Sequence, residues 1–76
     1  MKVYAILEED RHYDVQVHLR IDRDKAYKFA RELAKENLGK RDWELEEIAI
    51  DNETGLLHII TYSCEDDCVS IHLIEL

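Results

Sequence analysis

The sequence predicts an α+β domain: an antiparallel β-sheet carrying one α-helix packed on one face, in the order ββαβββ. Three observations predict it. Only one stretch, Ile21 to Gly39 (IDRDKAYKFARELAKENLG), repeats its apolar residues with the period of a helix. Tyr13 to Ile21 alternates apolar and polar residues over nine positions, the mark of a strand with two different faces. The remaining apolar runs are short, are bounded by polar clusters, and need something to pack against.

Lys2 to Glu8 (KVYAILE) opens the chain as a strand that is apolar on both sides, with Val3, Ala5 and Leu7 on one and Tyr4 and Ile6 on the other. A strand of that kind suits the interior of a sheet. Glu9 to His12 forms a polar turn, and Tyr13 to Ile21 returns as the antiparallel partner. There Tyr13, Val15, Val17, Leu19 and Ile21 point one way and Asp14, Gln16, His18 and Arg20 the other.

In the helix, steps of about 100° per residue gather Ala26, Phe29, Ala30, Leu33 and Ala34 on one side, with Tyr27 and Leu38 at its edge. Lys25, Lys28, Glu32, Lys35 and Glu36 face solvent. Asp22 is the expected N-cap, Asp24 suits the positive end of the helix dipole, and Gly39 suits the stop. The three alanines let the helix lie close to the sheet.

Lys40 to Asp42 connects to Trp43–Ile50 (WELEEIAI), where Glu46 and Glu47 break the alternation and imply a bulge or a late strand start. Asp51 to Gly55 (DNETG) is a hairpin loop with Gly55 at a position for positive φ. Leu56 to Ser63 is the fourth strand, Cys64 to Asp67 a turn, and Cys68 to Leu76 the last strand. In that strand Val69, Ile71 and Leu73 oppose Ser70, His72 and Ile74.

A chain of 76 residues makes one domain, spanning 1–76. At this size only about 60% of the unfolded surface is buried, and a deep catalytic cleft is hard to build. No apolar run is long enough to span a membrane and no leader is evident, so a soluble, cytoplasmic protein is expected.

Charge is distributed unevenly along a chain of net charge −8. From Arg20 to Arg41 there are 8 bases and 4 acids, whereas from Asp42 to Leu76 there are 10 acids and no Lys or Arg. Such a field steers cationic partners and argues against direct contact with nucleic-acid phosphates. It also serves solubility.

Few residues suggest chemistry. Cys64 and Cys68 form a C-x3-C pair that could close a small disulfide or join His58 or His72 in a partial metal set; two reduced cysteines are the plainer reading. His18, His58 and His72 would share the uncovered sheet face if Leu57 and Ile59 faced the helix. Glu46 with Glu47, or Asp66 with Asp67, form acid pairs that nothing encloses. There is no phosphate loop or nucleophile motif. Trp43, Tyr62 and Tyr27 read as core or core-edge aromatics. No enzyme, cofactor or metal is expected. With the helix on one face, the other would show Gln16, His18, Arg20, Ser70 and His72 among Tyr4, Ile6 and Ile74. Homodimerisation through that face, or edge pairing by the last strand, would follow.

The opening KVY, the two strands, the helix DKAYKFARELAKEN and the acidic strands after it resemble, as a layout, short acidic proteins of phages and mobile elements, anti-CRISPR proteins among them. The first two strands and helix also resemble antitoxins of the HicB type, whose glycine-rich segment is missing here. The first resemblance implies a non-enzymatic inhibitor that works in a host cell's cytoplasm and occupies a basic surface of a nucleic-acid-binding protein. Asp42, Glu44, Glu46, Glu47, Asp51, Glu53, Glu65, Asp66 and Asp67 would be its acidic, partner-binding face. The alternative is a small homo-oligomeric structural or regulatory protein, antitoxin-like, associating through the open sheet.

Overall fold

A computed structural model of the chain describes residues 1–10, 14–39, 44–50, 55–62 and 67–76. The elements are β1 (Lys2–Glu9), β2 (Gln16–Arg20), α1 (Arg23–Leu38), β3 (Glu46–Ala49), β4 (Leu56–Thr61) and β5 (Cys68–Glu75). All five strands join one antiparallel sheet in the order β2-β1-β5-β4-β3. The helix α1 lies across it, chiefly over β5 and β1. The expected α+β fold is therefore the observed one.

Local chemistry accounts for the helix limits. The Asp22 carboxylate accepts a hydrogen bond from the Lys25 amide at 3.0 Å, satisfying one of the first-turn donors. Asp24 stands in that turn, as the dipole favours. At the other end Gly39 has φ +57°, and its amide donates to the Lys35 carbonyl at 3.0 Å. Ala26, Ala30 and Ala34 are all fully buried. Their lack of bulk brings the helix axis close to the sheet, so that Ile6, Ile60, Tyr62, Val69 and Ile71 are sealed beneath it. Burying each of those aliphatic side chains stabilises the fold by about 1.5–3 kcal/mol.

Two expectations about strands change. The last strand is not an edge. β5 pairs with β1 along eight positions and with β4 on its other side, so the exposed edges belong to β2 and β3, and edge pairing by β5 is closed off. β3 starts late, at Glu46, as the interrupted alternation implies. The irregularity in the sheet falls between β4 and β5, at Leu56 and His58. Gly55 has φ +87°, and its carbonyl accepts from the Leu73 amide at 2.7 Å. A Cβ there would lie 2.6 Å from the Leu73 carbonyl oxygen, so this close backbone approach admits only glycine without a shift. Among the described residues no helix is long and apolar enough to cross a membrane.

Candidate functional site

Contacts with the helix identify which sheet face is covered. The Arg20 guanidinium lies 4.2 Å from the Phe29 ring centre, and the His18 ring packs against Phe29 at 4.9 Å. His58 packs against Tyr27 at 5.4 Å. Asn37 donates a hydrogen bond to Glu8. Ile6 stands opposite His18 in the β1–β2 ladder and opposite Ile71 in the β1–β5 ladder. Tyr4, Ile6, Gln16, His18 and Arg20 therefore lie on the helix side.

That reverses the expectation for β2 and for β1, whose Val3, Ala5 and Leu7 face away from the helix. The physical reason is the register. β1 is apolar on both faces and has no preference of its own. Ile71 of β5 selects Ile6 for the core, and whatever stands opposite Ile6 in β2 must share its side. The polar row of β2 thus goes under the helix margin, where it stacks on Phe29. The apolar row goes outward. Val15, Val17, Leu19 and Ile21 remain 54%, 59%, 57% and 71% exposed.

The uncovered face has relief. Ala5 of β1 sits between Leu19 and His72, and Ser70 of β5 between Leu7 and Ile59. These two small residues are only 2% and 4% exposed. Their larger cross-strand neighbours close over them, while Val17 and Leu19 of the edge strand β2 stand out to solvent. On the other side Ile59 stands opposite Ile48 of β3, an exposed residue. Ser70 and His72, both expected on this face, are on it and joined by a hydrogen bond of 3.0 Å. Toward the start of the helix a groove of about 530 Å³ opens beside Val3, Leu19 and Ile21, with Met1, Arg20, Asp22 and Lys25 completing its lining.

The histidines do not gather. His18 is 3.7 Å from Glu8 and His58 is 2.9 Å from Glu47, both on the helix side, while His72 is on the other. Of the cysteine pair, Cys64 lies outside the described residues, as do His12 and Trp43. Among the described residues no three His, Cys, Asp or Glu side chains are grouped to hold a metal ion.

The nine acidic site residues divide. Asp42, Asp51, Glu53, Glu65 and Asp66 lie outside the described residues. Glu44 and Glu46 are exposed. Asp67 is not part of a surface: it is 2% exposed, and its carbonyl accepts the Tyr62 amide at 3.0 Å. Beside it the Tyr62 hydroxyl donates to Asp10 at 2.6 Å, and burial, reinforced by that hydrogen bond, raises the pKa of the phenol well above its ordinary value. Nothing in the sequence marks Asp10 as buried, because its partner is 52 residues away.

Glu47 is engaged within the molecule. One carboxylate oxygen accepts from Arg31 of the helix and from His58 of β4, each at 2.9 Å. The His58 hydrogen bond, followed by Arg31, holds this carboxyl below its ordinary pKa against the opposing effect of burial. The helix thus neutralises one of the four described acids, and the core takes another.

Fold and surface define a class: a one-helix, five-stranded antiparallel α+β domain with one sheet face bare among its described residues. Comparison of the chain with protein-family models, curated proteins and solved structures finds no match.

Proposed function

We propose that this chain is a non-enzymatic binding protein whose working surface is the uncovered face of its sheet. One observation carries the reading: the period-two apolar row of β2 points away from the helix, with Val17 and Leu19 more than half exposed. Contiguous apolar surface of this kind marks interaction sites in soluble proteins. The test uses an apolar reporter dye at submicromolar protein, where weak complexes are dissociated. The wild type should bind the dye, and V17T/L19T, which keeps strand-favouring β-branched residues, should bind it several-fold less. Equal binding by both proteins rejects the reading.

A second reading has its own support. Asp42 to Leu76 holds ten acids and no Lys or Arg, and Glu44 and Glu46 are exposed within it. An acidic, anti-CRISPR-like inhibitor that docks on a basic surface of a nucleic-acid-binding protein fits that composition. Its affinity would fall steeply with salt. Reversal of Glu44 and Glu46 to Lys would weaken it at least tenfold, and unchanged binding would remove it.

A further inference from the structure

We infer that the uncovered sheet face is closed by a second copy of this chain, packed face to face with the exposed Val17 and Leu19 of each copy against the apolar face of the other. The inference rests on the reading that this face is the working surface, and adds the occupant.

Three observations select a copy over another kind of partner. The first is shape. A twofold interface requires one patch to carry both projections and recesses, because each surface meets itself. This face carries exposed apolar side chains on its two outer strands, Val17 and Leu19 of β2 (59% and 57%) and Ile48 of β3 (55%), and between them the small, covered residues Ala5 of β1 and Ser70 of β5.

The second is charge. The chain carries −8, and its acids would repel those of a copy across most orientations. On the described part of this face, acids stand only at the margin: Glu9 closes β1 and Glu46 opens the edge strand β3. The middle holds no Lys, Arg, Asp or Glu. Two strongly acidic molecules can bring such a face together without setting acid on acid, and it offers little to a basic partner.

The third is area. Five strands about 4.8 Å apart and roughly 20 Å long lay out a face of about 500 Å² in projection. Side-chain relief raises its accessible area toward the ~800 Å² per partner of a stable interface. Pairing through the edge of β2 would leave the apolar row in water, so packing of the two faces about 10 Å apart is the arrangement that buries it.

The test is the mass in solution, by sedimentation equilibrium across concentration, with the dye measurement run in parallel. The wild type should have the mass of two chains at tens of micromolar. V17T/L19T should have the mass of one chain with an unchanged far-ultraviolet spectrum. Each substitution acts twice in a symmetric pair, so the dissociation constant should rise about 100-fold or more. I74K, at a residue 41% exposed on the same face, should do likewise. Association should tighten as salt rises from about 50 mM to about 500 mM, since screening relieves the repulsion of like charges.

A one-chain wild type at several hundred micromolar whose dye binding still depends on Val17 and Leu19 overturns the second copy and leaves the working face intact for a different protein. A one-chain wild type whose dye binding ignores those residues overturns both. A two-chain mass that persists in V17T/L19T and I74K places the interface elsewhere and overturns the inference. Should the variants fail to fold, isotope-filtered NOEs in a half-labelled wild-type sample decide: contacts between copies from the Leu19 methyls to residues of this same face support it, and contacts confined to other surfaces overturn it.

Discussion

Ile71 and Ile74 lie three residues apart on β5 and meet opposite fates. Ile71 stands under the helix, fully buried opposite Ile6 in the same core cluster as the helix alanines, whereas Ile74 is on the other face and 41% exposed. The same residue type, in one strand, does structural work on one side and is held out to solvent on the other. An alternating pattern therefore shows that a strand has two faces without showing which one meets its own core.

Substitutions can break or sharpen this contrast. The largest effect should come from Ile71→Ala, which leaves a cavity beneath the helix and costs about 2–5 kcal/mol in urea melts. Ile74→Ala, measured in the same way on dissociated protein, should cost no more than about 0.5 kcal/mol. Similar losses at both sites would mean that the second face is also core.

Next is Ala30→Leu. The helix approaches the sheet at this fully buried position, and the added bulk should lift it and cost about 1–3 kcal/mol. Gly55→Ala should cost about as much, because it strains a positive φ and presses a methyl group on the Leu73 carbonyl. Its circular dichroism should remain that of the same fold.

The smallest effect is a pH dependence. Glu47 has its carboxyl pKa lowered in the folded state, so its contribution is fully present above the ordinary carboxylate pKa and lost as pH falls through the depressed value. Wild type and Glu47→Gln should differ in urea midpoint near neutrality, with the wild type higher, and converge below about pH 3. The group is partly exposed, so the difference at neutrality should be small. Parallel curves throughout that range would show that Arg31 and His58 add nothing to stability through Glu47.

Much of this fold was legible in the residues. Asp22, Gly39 and the alanines at 26, 30 and 34 fix the helix, its ends and its buried stripe through local rules that distant contacts do not override. Gly55 was legible for the same reason. The side taken by β2 was not, because it depends on a neighbour, β1, that is apolar on both faces. The position of β5 was not, since strand order is set by pairing between segments far apart in the chain. Among the candidate acids, Glu47 and Asp67 looked like any surface carboxylate. The fate of Glu47 depends on Arg31 and His58, 16 and 11 residues away, and Asp67 is buried beside Tyr62, whose hydroxyl partner Asp10 lies 52 residues off.

The central place of β5 has a consequence for how the chain acquires its structure. The β1–β2 and β3–β4 pairs can each zip locally, but they join into one sheet only when β5 slides between β1 and β4. Tyr4 then meets Leu73, a closure spanning nearly the whole described chain. Such long-range closure slows folding relative to helical or hairpin contacts. On the ribosome, two half-formed ribbons should wait with their apolar sides open until the final keystone emerges.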